Sequence, residues 1–404
     1  YIIIKIYKKC EKIAKTYKKE STMITSFKNF KLMIPIFIVM ILSLITILGV
    51  TPQLIDYGTS TSSTVFIFKQ SMGMILGIIL IFFLYNANLD LIKKWMRISF
   101  WVFFGMLLIL AIQPPILDKL FVVTINGASG WFRIPFLFTI QPVEFIKISS
   151  FFILAEISTS HIQSSRTDWD LIKKYIIYAG IPLFCVLLQP DAGGVLMLGV
   201  PAFAMLMISL KDKKIISLIN KLIIVALIIF FVFIYFPEGQ DFLIKFTPIE
   251  AYQWERLNSW LHPFVYDGGF QLQQSLVLMG SAGLFGNGFG FAGVYLPEPH
   301  TDVIFSEYVG MFGVVAGAFL ISLYFYIVFK LFEITLRTKE VFYKFVMVGY
   351  TVLFLTHIVQ NIGMMLGVLP ITGIVLPFFS YGVSAMMTLL IIIGVVLAID
   401  KRNY

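Results

Sequence analysis

The residues that could do chemistry are confined to a few short polar segments of an otherwise apolar sequence. Five acidic residues lie between positions 250 and 302, in the one long interval between apolar stretches. Lys147 stands inside an apolar stretch, three residues after Glu144, a spacing that lets two side chains of one helix pair. An ionisable group at such a position is costly and usually functional. We therefore expect the chemistry of this protein at these two places.

Three other polar features have a structural and a functional interpretation. Helix capping explains Asp191, in Gln-Pro-Asp-Ala-Gly-Gly, about as well as a site does. The His-x-Asp spacing of His300 and Asp302 is a weak metal signal, and a hydrogen-bonded structural pair is the stronger expectation. The glycine-rich run 280–290 lacks the Lys-Ser/Thr of a phosphate-binding loop, so it predicts a tight loop packed on helices.

The remaining histidines and the two cysteines indicate structure rather than chemistry. His161 is expected at a membrane interface, and His357 is expected to make a polar contact between packed helices. His262, beside a proline, is expected in a loop. Cys10 and Cys185 have no obvious partner, which excludes a small disulfide scaffold.

Composition places these segments in a membrane protein. Of the 404 residues, 59% are apolar and 13% are charged, and the mean hydropathy is +0.90. Soluble domains carry about 25% charged residues. Ten apolar stretches are long enough for a hydrocarbon core of about 30 Å, at 32–50, 68–87, 98–113, 144–160, 172–189, 193–210, 218–236, 304–329, 345–362 and 377–399. The predicted fold is all-α and polytopic, with ten transmembrane helices.

The distribution of charge predicts the orientation of these helices. Lys and Arg are concentrated in alternate connecting segments, beginning with the first, as the positive-inside rule requires of cytoplasmic segments. Both termini are therefore expected in the cytoplasm, with a basic tail 1–31, one membrane domain 32–399 and a short tail 400–404. The long loop 237–303, between helices 7 and 8, is then extracytoplasmic. Met23 stands just before the first span, which leaves open whether 1–22 belong to the native protein.

The net charge of +9 is thus a matter of topology, and no nucleic-acid partner is expected. The predicted outer segments are acidic instead. Their only basic residues are Lys119, Arg133, Lys245 and Arg256. A reaction on the outer face that needs positive charge would therefore depend on these few basic side chains.

Five polar motifs, taken in order, resemble those of one family of membrane proteins. They are Gln141-Pro-x-Glu144-x-x-Lys147, Gln189-Pro-Asp191-x-Gly193, Gly269-Phe-Gln271-x-x-Gln274-Ser275, Leu296-Pro-Glu-Pro-His300-Thr-Asp302-x-Ile-Phe305 and Leu376-Pro-Phe-x-Ser380-Tyr-Gly382-x-Ser384. Their order and spacing are similar to those of the SEDS family of RodA, FtsW and SpoVE. The motifs cover residues from about 120 to 395. Val143 and Val383 depart from the family pattern, so the choice of RodA, FtsW or SpoVE-like subfamily stays open.

The resemblance implies an enzyme of the bacterial cytoplasmic membrane. Such a protein would be a peptidoglycan glycosyltransferase that polymerises lipid II into glycan strands at the outer face, in elongation, division or sporulation. Its expected partners are lipid II, the nascent glycan strand, membrane lipid and a class B penicillin-binding protein. A divalent cation, Mg²⁺ or Mn²⁺, is the one cofactor left open.

The resemblance also implies which residues do the chemistry. The family's catalytic acid precedes the Gly-Phe-Gln motif, where this chain has Asp267; an Asp-Gly pair is otherwise a turn signal. The expected substrate-binding residues are Arg256, Lys147, Glu144, Arg133, Gln271, Gln274, Ser275, His300, Asp302, Ser380 and Ser384.

Two other functions remain open from the sequence. A transporter that flips lipid II would also use broken helices and charge within the membrane. It would need polar groups that continue toward the cytoplasmic side, and spans 5 to 7 have few. A scaffold that only recruits a penicillin-binding protein would not need the loop carboxylates.

Overall fold

A computed structural model describes most of the apolar part of the chain. The described residues are 30–56, 63–112, 122–125, 128–133, 139–189, 191–235, 258–265, 267–291 and 293–402. Arg256 lies outside them, and only the backbone is described for Arg133 and Asp267. Most of the basic tail 1–31 and much of the long loop 237–303 also lie outside the described residues.

The described chain is built mainly from α-helices. In chain order they are α1 (Phe30–Asp56), α2 (Ser63–Asn86), α3 (Leu89–Ile112), α4 (Pro142–Gln163), α5 (Asp168–Tyr175), α6 (Ile181–Leu187), α7 (Ala192–Ser209), α8 (Lys213–Tyr235), α9 (Phe270–Ser281), α10 (Ile304–Arg337), α11 (Val341–Met365) and α12 (Val383–Arg402). A π-helical turn, Ile176–Gly180, joins α5 to α6. The all-α, polytopic class predicted from composition is confirmed.

Eight of these helices are long and apolar enough to cross a membrane: α1, α2, α3, α4, α7, α10, α11 and α12. The predicted spans 172–189 and 218–236 coincide with the α5–α6 segment and with α8, which are not among the eight. The helix at the eighth predicted span is longer than expected, since α10 continues for 34 residues.

The helices pack in groups around α4 and α11. α4 contacts α3, α7 and α11, while α2 packs along α12, and α10 contacts α1, α9 and α11. Small residues allow the closest approaches. A methyl group on Gly77 would meet Leu390 of α12, and one on Gly349 would meet Phe151 of α4. Large apolar side chains such as Phe82 and Phe325 face outward, as lipid-facing residues do.

A small antiparallel sheet precedes α4, which the sequence did not predict. Its strands are β1 (Val122–Ile125), β2 (Ala128–Arg133) and β3 (Thr139–Ile140), in that spatial order. β3 ends one residue before Gln141, the first residue of the Gln-Pro-x-Glu motif. The sheet therefore sets the position of that motif at the start of α4.

The glycine-rich run forms the predicted tight loop against a helix. α10 is interrupted at Gly313, where φ is +86°. This break frees backbone groups of α10, and the loop pairs with them. The amides of Asn287 and Gly288 donate to the carbonyls of Gly310 and Met311 at 2.9 and 3.1 Å, and the amide of Val314 donates to Gly283 at 3.0 Å. Glycine is required at 313 because a Cβ there would lie 2.2 Å from the carbonyl oxygen of Leu284.

Candidate functional site

A buried ion pair lies in the first two turns of α4. Lys147 Nζ is 2.6 Å from Glu144 Oε1, and the side chains are 4% and 12% exposed. The Thr388 hydroxyl of α12 donates to the other oxygen, Glu144 Oε2, at 3.3 Å. The pairing predicted from the i, i+3 spacing is confirmed. Because Lys147 is almost fully enclosed, this cation is not open to solvent in the structure.

Asp191 caps α7 and joins it to the start of α4. One carboxylate oxygen accepts the amide of Gly194 at 2.7 Å, and the other accepts the Gln141 side-chain amide at 3.3 Å. Burial raises the pKa of Asp191, and the Gly194 hydrogen bond partly opposes that rise. The capping interpretation is thereby confirmed, and the cap lies beside the Glu144–Lys147 pair, since both charges act on Asp191.

The motif that ends at Ser384 packs against the same region. The Ser384 hydroxyl donates to the carbonyl of Thr139 in β3 at 2.9 Å. Ser380 has a different role, because its hydroxyl accepts the amide of Leu376 at 2.8 Å within its own turn. Gln70 of α2 holds this turn from the other side, with hydrogen bonds to the Ser380 carbonyl and the Gly382 amide. Ser380 therefore shapes the loop, while Ser384 ties it to β3.

His300 is enclosed by aromatic rings rather than by metal ligands. Its ring lies 5.0 Å from Phe66 and 5.2 Å from Tyr381, and its carbonyl accepts the Tyr381 amide at 2.9 Å. Burial lowers the pKa of His300, although the nearby Glu298 carboxylate acts in the opposite direction. Nδ1 is buried without a hydrogen-bond partner in the described part of the chain.

Asp302 lies where three segments meet. Its carbonyl accepts the Asn361 side-chain amide of α11 at 2.9 Å, and the same amide donates to Ile374 at 2.6 Å. The segment containing Ile374 reaches Asp191 from the other side, because a Cβ on Gly193 would meet both Ile374 and Asp191. Asp302, Asn361 and the 371–374 segment thus connect the long-loop motif to the capped end of α7.

The helix within the long loop is docked on the bundle. The Gln271 amide of α9 donates to the carbonyl of Pro297 at 3.2 Å. Ser275 is fully buried and donates to the sulfur of Met365 in α11 at 3.6 Å. Gln274, on the same helix, is half-buried. Ser275 therefore faces α11 and contributes to helix packing.

The backbone at Asp267 is closed into a tight turn. Asp267–Gly269 form a 3₁₀ turn directly before α9. Gly269 is buried, and a Cβ on it would lie 2.5 Å from the carbonyl oxygen of Pro263. Gly269 therefore returns to within contact distance of Pro263, six residues earlier in the chain. Trp260 ties the preceding segment to the turn just after α11 through a 2.9 Å hydrogen bond to the Gly367 carbonyl.

The other sequence-predicted residues are only partly placed. Arg133 ends β2, and its backbone pairs with Thr139. Arg256 lies outside the described residues, so its predicted role stays a prediction. Within the described ranges, no three His, Cys, Asp or Glu side chains converge as metal ligands would.

The structure adds three polar residues that the sequence motifs did not single out. Thr388, Gln70 and Asn361 each hydrogen-bond to a predicted motif from a different helix. Each is a polar residue in an apolar helix and is no more than 2% exposed. Polar side chains in membrane-length helices usually face other helices. The occurrence of these residues in apolar stretches of the sequence therefore indicates that they contact neighbouring helices.

Together these features define a class: a multi-pass membrane protein whose polar motifs meet at one end of a helix bundle. Comparison with known proteins identifies the family. The family model of the cell cycle proteins FtsW, RodA and SpoVE matches residues 30–404. The chain belongs to this family, as the five motifs indicated, and is a multi-pass protein of the bacterial cytoplasmic membrane.

Curated relatives match over most of the chain. The probable peptidoglycan glycosyltransferase FtsW of Lactococcus lactis is 28% identical over 384 residues, 90% of each protein. Stage V sporulation protein E of Bacillus subtilis is 28% identical over 344 residues, 83% of this chain and 87% of that protein. The FtsW of Trichlorobacter lovleyi is 30% identical over 302 residues, 73% of each.

Two solved structures share the fold. The rod shape determining protein RodA of Thermus thermophilus has a TM-score of 0.62 at 22% identity, covering 93% of this chain and 97% of that one. A structure described as structural coordination of polymerization and crosslinking by a peptidoglycan synthase complex gives 0.71 at 23% identity, covering 93% and 98%. At these identities the likeness is one of fold.

Proposed function

We propose that this protein is a peptidoglycan glycosyltransferase that polymerises lipid II into glycan strands. The names of the curated relatives support this activity, and the family assignment places it in the membrane. One observation from the structure carries the proposal: three of the five family motifs, those that begin at Gln141, Gln189 and Leu376, meet at the start of α4 beside the buried Glu144–Lys147 pair. A cluster of this kind in apolar helices is costly and usually functional.

The proposed topology has ten crossings, with both termini in the cytoplasm. It adds α8 and the segment 172–187 to the eight helices that are long and apolar enough to span. The concentration of Lys and Arg in alternate segments supports it. In this topology the start of α4, the cap of α7 and the long loop 237–303 share the outer face, where the lipid-linked substrate would be used.

Asp267 is the proposed catalytic base. In glycan polymerisation a sugar hydroxyl attacks the anomeric carbon of a lipid-pyrophosphate donor, and one base must accept the proton of that hydroxyl. Pyrophosphate leaves without the protonation that a glycosidase supplies through a second acid, so one carboxylate suffices. The 3₁₀ turn Asp267–Gly269 supports this role, because it places the backbone of Asp267 directly before α9.

Stabilising the departing pyrophosphate requires positive charge. Lys147 is enclosed and paired with Glu144, so we assign it an electrostatic role from within the bundle. Direct contact is then assigned to Arg256 and Arg133, which the proposed topology places on the outer face. The proposed lining of the sugar-binding groove consists of polar side chains from three motifs: Gln271, Gln274, His300, Asp302 and Ser384. No step in this proposal passes through a metal ion.

A class B penicillin-binding protein is the proposed partner. A related fold has been solved in a peptidoglycan synthase complex that coordinates polymerization and crosslinking, which supports such a pairing. Crosslinking needs a second enzyme close to the emerging strand. The pathway served, whether elongation, division or sporulation, follows from which partner the protein binds.

Polymer formation in detergent tests the activity. Purified protein, with and without a class B penicillin-binding protein, is incubated with lipid II in micelles, and the products are separated by size. We expect glycan strands, because micelles have no compartments and a transporter would leave lipid II unchanged. Intact lipid II under both conditions would contradict the proposal and favour a transporter or a scaffold.

A further inference from the structure

α11 carries a buried histidine, His357, that the proposed mechanism does not use. Its position follows from the register of α11 against α4. Tyr350 donates its hydroxyl to the Ile148 carbonyl at 3.3 Å. Phe342, in the first turn of α11, lies against Phe152 of α4, with ring centroids 5.8 Å apart. The two helices therefore run in opposite directions, and His357, two turns beyond Tyr350, comes level with the start of α4, where the ion pair lies. His357 is 2% exposed.

One hydrogen bond fixes the tautomer of this ring. His357 Nδ1 is 3.1 Å from the carbonyl oxygen of Val375. A carbonyl oxygen only accepts hydrogen bonds, so Nδ1 carries the proton, and in the neutral ring Nε2 is an acceptor. Nε2 is buried and has no hydrogen-bond partner among the described residues. Because buried acceptors are nearly always satisfied, a donor is expected nearby.

Lys147 is the donor best suited to that nitrogen. An ammonium group has three N–H donors, and Glu144 Oε1 takes one of them. Two neighbouring polar side chains already make hydrogen bonds of their own. The Thr388 hydroxyl bonds to Glu144 and Ala385, and the Asn361 amide bonds to Asp302 and Ile374. Lys147 also has a flexible side chain that can move toward His357.

We propose that His357 is a positioning residue that accepts a hydrogen bond from Lys147 through Nε2 and holds the ammonium between itself and Glu144. The proposal rests on the proposed function, because it assigns His357 to the polymerisation site. A neutral acceptor fixes the ammonium group without cancelling its charge. Lys147 then keeps its electrostatic effect on an anionic leaving group while its orientation is set by two partners.

A double-mutant cycle tests the hydrogen bond without reference to activity. The thermal unfolding midpoint is measured in detergent for wild type, H357L, K147M and the double variant. If Nε2 bonds to Lys147, H357L lowers the midpoint in the wild-type background by at least twice as much as in K147M. A role confined to the Val375 hydrogen bond predicts equal shifts, and equal shifts overturn the proposal. If H357L does not fold, H357F replaces it in both arms.

Kinetics with purified lipid II test whether the bond serves the site. H357L should lower kcat about tenfold, a factor typical of one hydrogen bond to a charged group, with KM changed less than about twofold. H357Q, which keeps a donor and an acceptor, should restore kcat to within about threefold of wild type. T356V is the matched control, since the Thr356 hydroxyl bonds only to its own helix at Val352.

The two measurements separate this inference from the proposed function. A wild-type kcat in H357L, or a loss that H357Q does not relieve, overturns the positioning role. If the wild-type protein makes no polymer at all, the proposed function fails, and the unfolding cycle still decides whether His357 and Lys147 are bonded.

Discussion

A basic side chain is buried beside a carboxylate at each end of helix α4, and the two pairs are built differently. Near its start, Glu144 and Lys147 pair within the helix, and orphaned polar atoms, His357 Nε2 and Asn361 Oδ1, lie on the facing helix. Near its end, His161 Nε2 is 2.8 Å from Asp168 Oδ1. The other oxygen of Asp168 accepts two backbone amides, those of Lys211 and Asp212, at 2.9 and 2.7 Å.

The two ends differ in where the hydrogen-bond partners of the carboxylate come from. At the His161 end, the Lys211 ammonium also donates to the carbonyls of His161 and Ser164, so one lysine closes the turn between α4 and α5. Such a network joins chain segments and fixes their geometry. At the Glu144 end, Glu144 pairs within its own helix, and the buried His357 Nε2 and Asn361 Oδ1 have no partner among the described residues. A buried polar atom without a partner calls for an explanation, and a catalytic role is one of those known.

Removing Lys147 should have the largest effect on stability. Lys147→Ala leaves Glu144 charged and buried, and breaking a buried pair costs about 3–5 kcal/mol. We expect the free energy of unfolding in detergent to fall by about that amount and polymerisation to be lost. Chemical denaturation and the lipid II assay measure the two effects.

A second pair in the same protein is the matched control. Lys330 and Glu333 have the same i, i+3 spacing and the same 2.6 Å distance, but their side chains are 20% and 24% exposed. Lys330→Ala should therefore cost only about 0–1 kcal/mol and leave polymerisation intact. Equal losses in the two variants would show that burial does not distinguish the pairs.

The Glu144 end was largely predictable from sequence, and the His161 end was not. Glu144 and Lys147 are three residues apart on one helix, so their pairing follows from helix geometry alone. The sequence predicted only an interfacial position for His161, and the structure shows that its side chain is buried against Asp168. The backbone amides that donate to Asp168 belong to Lys211 and Asp212, which lie 43 and 44 positions later in the chain. No local sequence pattern predicts a contact over that separation.

Breaking the His161 end should have a smaller effect, confined to stability. Asp168→Asn removes the carboxylate from its hydrogen bonds, and we expect a loss of about 1.5–3 kcal/mol with polymerisation retained by the folded fraction. Unfolding measured at neutral pH and activity per folded molecule give the two values. Polymerisation lost from fully folded protein would contradict the structural role.

The same residue predicts a pH dependence. Burial alone would raise the pKa of Asp168, but hydrogen bonds from the amides of Asp212 and Lys211 and from His161 outweigh it and hold the pKa below its usual 3.8. A carboxyl group whose pKa is lower in the folded than in the unfolded state stabilises the protein at pH values above its unfolded-state pKa. This stabilisation is lost as the pH falls through the folded-state pKa. Wild type should therefore lose stability more steeply than Asp168→Asn below about pH 4.

The candidate site was predictable in its parts but not in its assembly. The motifs gave the chain positions, and the cap at Asp191 and the tight glycine loop followed from local geometry. The three-stranded sheet was not predicted because its strands are only two to six residues long, which is too short for a clear alternation of apolar and polar residues. Contacts such as Ser384 to Thr139 join residues 245 apart, and only the fold brings them together.

The proposal that Asp267 is the catalytic base is tested most directly by measuring the rate at which Asp267→Asn polymerises lipid II. Asparagine keeps the size of the side chain and cannot act as the base, so we predict a rate at least about 100-fold below wild type with an unchanged unfolding midpoint. Asp241→Asn, another acid of the same loop, should polymerise at the wild-type rate. Polymerisation by Asp267→Asn at the wild-type rate would contradict a catalytic role for Asp267.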